Sequence, residues 1–331
     1  MSNQGLYSVA DASGLIDRGR VLLVAGDEAL LRQLPRGTWI GGTSTNFMAP
    51  AGGLNARDKV FVSDITDQVE RAEVRSYTVD ELSHIADDYP KNGFTVLNVP
   101  AFSAVHSTFA KEVQTYAGIF DSPLYGWISG VDVSEIGKRS PKTFAGDGTP
   151  HDDRASALPV TLPPGKAAKI DIINLFAQGA GAEIEFAADG FESTGDCQIG
   201  GNPGNLASFV AANKIDVKLP LVANYQGAMV NVSLREVDAA VGKTTFYAPV
   251  FKGVKYKFAA PVADYIDEFT RRLTKIETHS IALSCNCVLN YLYAELEGKK
   301  TGSIVGPITF GEIAYVLLNQ TLVYLSIETV S

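Results

Sequence analysis

Ser284-Cys285-Asn286-Cys287-Val288-Leu289-Asn290-Tyr291-Leu292, followed after an acidic turn by Gly306-Pro307-Ile308-Thr309-Phe310-Gly311-Glu312-Ile313, carries most of the reading of this chain. The apolar run from Thr278 to Cys285 predicts a strand, residues 286–297 a helix, and 302–305 a short strand. Gly311 then enforces a bend that brings one carboxylate, Glu312, into apolar or neutral surroundings. That carboxylate either receives an amino group or backbone amide, or caps a helix start near Phe310 and Ile313. Leu322 to Ile327 predicts a final apolar strand, which needs covering if it lies at a sheet edge.

Moving outward to the N-terminus, strand and helix signals alternate. Val21 to Ala25 is a continuous apolar run, and Asp27 is placed to cap a helix that buries Leu30, Leu31 and Leu34. Residues 59–63, 69–77, 94–99 and 124–128 have strand character. Between them, Thr78 or Asp80 caps one predicted helix that Pro90 ends, and Ser103 to Tyr116 forms another with Val105, Phe109 and Val113 on one face. Strands separated by helices indicate an α/β layer with a mixed or parallel sheet. Residues 137–164 then turn to Gly, Pro, Asp and Lys, which marks a boundary or a long functional loop. Beyond them β-type segments dominate, with helices expected at 206–212 and 262–275. The expected architecture is α/β, mixed α+β in the second half: layered sheets with flanking helices in two pseudo-domains, residues 1–136 and 165–331, joined by 137–164.

Composition bounds the function. The 331 residues are 46% apolar and 20% charged, ordinary globular usage, and the formal charge is -9. Nucleic-acid partners are disfavoured, because that binding rests on clustered Lys and Arg. No window approaches the roughly 18 apolar residues of a membrane helix and no basic, apolar leader is present, so no membrane insertion is expected and cytoplasmic residence is the default. Three cysteines form no disulfide framework and fit a reducing compartment.

The tail residues quoted above resemble the C-terminal half of the FIST family, named for F-box and intracellular signal transduction proteins. Residues 20–25, 27–34 and Gly37-Thr38-Trp39-Ile40-Gly41-Gly42-Thr43-Ser44-Thr45 are similar to the opening of its N-terminal half. Where typical members carry Cys-x-x-Arg, this chain has Cys287 and Asn290, so the arginine that would meet an anion is absent. The resemblance implies a sensory module for a small polar ligand, held by Gly41, Gly42, Thr43, Ser44 and Asn46 from one half and Cys287, Asn290 and Glu312 from the other. Glycines at a strand end let backbone amides approach a ligand, although a plain turn uses the same residues. With no room for an output domain in this chain, such a protein is expected to act through a signalling partner or as a homo-oligomer. The alternative is a self-associating scaffold that has lost its ligand.

Catalytic chemistry is sparse. Cys285 and Cys287 are expected as core cysteines, and His279 as a satisfied core histidine. Cys197 and the four histidines lack metal-ligand spacing, so neither metal nor cofactor is expected. His151, Asp152 and Asp153, with Asp147 upstream, read as a solvated loop. His84 reads as a surface group, His106 faces either way, and no nucleophile, base and acid can be assembled.

Overall fold

The structure, a computed structural model, describes residues 4–195, 197–225, 227–273 and 280–330. His279 lies outside the described residues. The fold is mixed α/β, with several mixed sheets and a few helices. Two compact units can be separated: residues 1–173, 270–317 and 322–331 form the first, and residues 174–269 with 318–321 the second. These units cut across the expected segments. The N-terminal half and most of the tail belong to one unit, and the middle of the chain with residues 318–321 to the other.

Three sheets build the first unit. In the first sheet, the apolar run read at 21–25 becomes the buried strand Leu22–Gly26, parallel to Trp39–Thr43, with Val60–Asp64 antiparallel on its other side. Asp27 caps the short helix Glu28–Leu31, its carboxylate accepting from Ala29 N at 3.0 Å. In the second sheet Leu124–Ser129 runs parallel to Gly93–Pro100, and the crossover between them carries the helix Ala104–Glu112, capped by Ser103. The predicted helix after Thr78 forms as a 3-10 helix, Val79–Asp88, closed by a Thr78–Glu81 capping box.

The 137–164 stretch is not a linker. It supplies Thr143–Phe144 and Pro150–His151 to the first sheet and the seven-residue strand Ala155–Thr161 to the second. Pro159 lies inside this last strand. It is tolerated because Ala155–Thr161 pairs with Arg75–Tyr77 at one end and Arg71–Ala72 at the other, and Pro159 falls where that partner is interrupted.

The third sheet belongs mostly to the tail. Ile281–Cys287 pairs antiparallel with Leu322–Thr329 and parallel with Gly306–Thr309, which in turn pairs with Asn46–Ala49. Both cysteines therefore lie on the strand, which runs two residues further than expected; the helix is Val288–Tyr293, and the short strand expected at 302–305 forms instead at Gly306–Thr309. Leu322–Thr329 is no sheet edge, since Lys166–Ile173 pairs along its entire length. Glu312 begins a strand, Glu312–Ala314, so the helix-cap reading is excluded.

The second unit holds a six-stranded and a three-stranded antiparallel sheet around Phe186, Leu221, Phe246 and Tyr256, with the helix Leu206–Ala212 where the sequence placed it. No helix among the described residues is long and apolar enough to cross a membrane.

Candidate binding site

The second sheet of the first unit carries an unusual row. Its register sets Glu312 opposite Trp127, Trp127 beside Asn98, Asn98 opposite Ser156, and Ser156 opposite Ser76. Directly paired residues share a sheet face, so five polar or hydrogen-bonding side chains cross five strands in line. Ser129, two residues beyond Trp127, joins them. Asn98, Ser129 and Glu312 have no exposed surface, and Ser156 and Trp127 almost none.

Both amide atoms of Asn98, Trp127 Nε1 and the hydroxyls of Ser76, Ser129 and Ser156 have no hydrogen-bond partner among the described residues. Leaving a buried donor or acceptor unmet costs about 1–3 kcal/mol, so an unmet cluster in a folded protein calls for an explanation.

Several residues expected at a ligand site converge on this row. A Cβ at Gly42 would fall 2.0 Å from Ser129 Oγ and 3.2 Å from Trp127 Nε1, so glycine there lets the first sheet meet the second at the row. Gly130 N donates to Thr43 O at 2.8 Å, fixing the same approach. On the other side, Thr309 Oγ1 lies 3.3 Å from Glu312 Oε1, and Thr309 pairs with Cys287.

Other expected site residues have structural partners. Thr43 Oγ1 accepts from Lys142 N at 2.9 Å, Ser44 Oγ donates to Ile308 O at 2.7 Å, and Asn46 Oδ1 accepts from Asn55 Nδ2 at 2.9 Å. Gly41 is required by its own sheet, where a Cβ would lie 2.6 Å from Val24 O. Asn290 is buried and donates to Asn286 Oδ1 at 2.9 Å. Cys287 is fully buried at the start of the helix.

Burial pushes the Cys285 thiol well above its ordinary range, and the neighbouring Glu312 carboxyl pushes it further. The Tyr125 hydroxyl is raised the same way, by burial first and by Cys285 second. Both groups keep their protons at neutral pH, which leaves Cys285 a poor nucleophile. His106 is also buried, and desolvation lowers it to about 4; its Nδ1 accepts from Phe102 N at 3.4 Å.

At the carboxyl ends of the strands, the end where open α/β sheets place ligands, Arg139 binds Asp27 at 3.0 Å and Glu135 at 3.1 Å. Arg57 binds Asp132 and Glu135, both at 3.1 Å. The Ser134 hydroxyl, donating to Asp132, is the main cause that lowers that carboxyl to about 2. Asp152, in the loop read as solvated, pairs with Lys142, and His84 is exposed beside Asp87 at 2.8 Å. Among the described residues no three His, Cys, Asp or Glu side chains come together as metal ligands.

Asn98, Trp127, Ser129, Ser156 and Ser76 were not singled out from the sequence. The available signal was Asn98 itself, a polar residue inside Phe94-Thr95-Val96-Leu97-Asn98-Val99. The chain belongs to a family of unknown function, DUF6976. The family model matches residues 7–328, nearly the whole chain. No curated protein matches it.

Proposed function

We propose that this protein binds a small polar molecule at the row centred on Asn98 and Trp127, without transforming it. The observation that supports the reading is the line of buried hydrogen-bonding atoms with no partner among the described residues. Asn98 offers a donor pair and an acceptor, Trp127 a donor, and the serines both kinds, which suits a small molecule bearing amide, hydroxyl or amino groups. The protonated state of Cys285 and Tyr125 argues against nucleophilic chemistry beside the row. The FIST-like tail favours a sensory role, with the bound state passed on through a protein partner or through self-association.

Native mass spectrometry of protein purified from its natural source, beside Asn98→Leu, tests the reading. The wild type is expected to retain a small molecule that Asn98→Leu loses. An apolar side chain of similar shape relieves the unmet amide, so the melting temperature of Asn98→Leu in the ligand-free state should hold or rise. Ordered waters along the row, with no retained mass, would sink the proposal and leave a scaffold.

A further inference from the structure

We propose that the second unit carries a binding site of its own, for a small monocarboxylate with an apolar body and a hydrogen-bond donor. A cavity of about 500 Å³ opens beside the strands Ile184–Phe186, Cys197–Ile199 and Asn202–Gly204 and the turn at Lys252 and Gly253. That volume falls within the range of small-molecule sites.

The wall is anchored from behind: Phe186 turns its ring into the core of the unit, held edge-on by Phe246 and by Tyr256 with ring centroids 5.6 Å away. The register sets Pro203 on the other face of the sheet, in line with Gln198 and Glu185, where it supplies the apolar surface of the cavity. The turn is fixed as well, since Lys252 N donates to Asp189 Oδ1 at 2.6 Å and Lys252 bridges to Phe186. The Lys252 ammonium nevertheless makes no ion pair with any described residue. Two lysines at strand starts in this unit do: Lys255 reaches Glu183 at 2.7 Å, and Lys243 reaches Glu192 at 2.7 Å.

Glu185 also lines the cavity and is held only loosely, 3.8 Å from Lys255. Its negative charge on the same wall disfavours a dianion such as a phosphate monoester, while its oxygens can accept from a ligand hydroxyl or amine. Gln198 offers both a donor and acceptor. A single carboxylate on Lys252, an apolar body over Pro203, and a donor toward Glu185 satisfy all three constraints together.

Titration calorimetry on the intact protein decides the matter, using 4-hydroxybenzoate, phenol and phenyl phosphate as probes. Lys252 is exposed, so Lys252→Met should leave the fold intact, which a melting curve checks. We expect saturable binding of 4-hydroxybenzoate, weakened about tenfold or more in Lys252→Met, as loss of one charge-assisted hydrogen bond requires. Phenol should bind at least as weakly as the variant does. Glu185→Gln should narrow the preference for 4-hydroxybenzoate over phenyl phosphate. No saturable binding of 4-hydroxybenzoate, equal binding by Lys252→Met, or tighter binding of phenyl phosphate would each overturn the proposal. Because these residues belong to the second unit, neither result bears on the row around Asn98.

Discussion

The two compact units each bury a cluster of asparagine, serine and neighbouring polar side chains, yet the clusters differ in how they are paired. In the second unit Asn231 Nδ2 donates to Asn174 Oδ1 at 3.0 Å, Asn319 O at 3.1 Å and Gln320 O at 3.3 Å. Ser233 donates through its amide to Asn319 Oδ1 at 3.0 Å and through its hydroxyl to Gln320 Oε1 at 2.7 Å. Nearly every polar atom of this knot is engaged, and its evident work is to seat the segment Leu318–Thr321 in the unit. In the first unit Asn98, Ser129 and Ser156 are as deeply buried, and their side chains hydrogen-bond to nothing described. Buried polarity by itself therefore says little about function; whether the chain supplies the partners separates a clamp from a candidate ligand wall.

The largest expected effect tests the clamp. Asn231→Ala removes the donors to two carbonyls and one amide oxygen and leaves all three buried, which should cost roughly 3 kcal/mol. Urea unfolding measures it: Trp39 and Trp127 both lie in the first unit, so fluorescence follows that unit while circular dichroism follows both. A loss under about 1 kcal/mol would erase the contrast between the clusters. The same burial means that the Asn-x-Ser/Thr matches at Asn231 and Asn319, both without exposed surface, cannot carry glycans in the folded protein.

Acid should separate the units next. His106, in the first unit, has a folded-state value near 4 against an ordinary 6.5, because burial penalises its charge. A group lowered on folding stabilises above its unfolded value, and that contribution is lost as pH falls toward the folded one. Between pH 6.5 and 4 the first unit should thus lose up to about 3 kcal/mol. Fluorescence-monitored unfolding at pH 7, 5.5 and 4 measures the slope, and His106→Gln should flatten it. An equal slope in the variant would assign the acid sensitivity elsewhere.

Much of the scaffold was legible in the sequence, and the reasons are local. Val21 to Ala25, Phe94 to Val99 and Leu124 to Ile128 are short apolar runs with turn residues around them, and Asp27 is a cap whose hydrogen bond forms as read, while Ser103, read as the first residue of its helix, caps it instead. Ala155–Thr161 escaped because it follows a Gly- and Asp-rich run and contains Pro159, which only the break in the partner strand makes acceptable there. The division into units was hidden for another reason: pairing of Gly306–Thr309 with Asn46–Ala49 joins residues about 260 apart, which no local pattern encodes. Of the candidate site, Gly42 and Glu312 could be named, but the row connecting them depends on cross-strand register. Register is set by the whole sheet.

The smallest of these effects probes how tightly the first sheet is held to the row. A methyl group at Gly42 would lie 2.0 Å from Ser129 Oγ, 3.1 Å from Ser129 Cβ and 3.2 Å from Trp127 Nε1. The nearest of these atoms is a hydroxyl that can rotate, whereas the Cβ and the indole are held by their strands, so part of the overlap is relieved cheaply and part is not. Gly42→Ala should therefore cost about 1–2 kcal/mol, the lower part of the range for overpacking a core. In a Ser129→Gly background, where both serine atoms are gone, the added cost of Gly42→Ala should fall by at least half, and the double-mutant cycle isolates that coupling. Contacting residues couple, while residues joined only through a general loosening add. Strict additivity would mean that the first sheet does not rest on Ser129, and the spacing that brings Gly42 to the row would lose its physical basis.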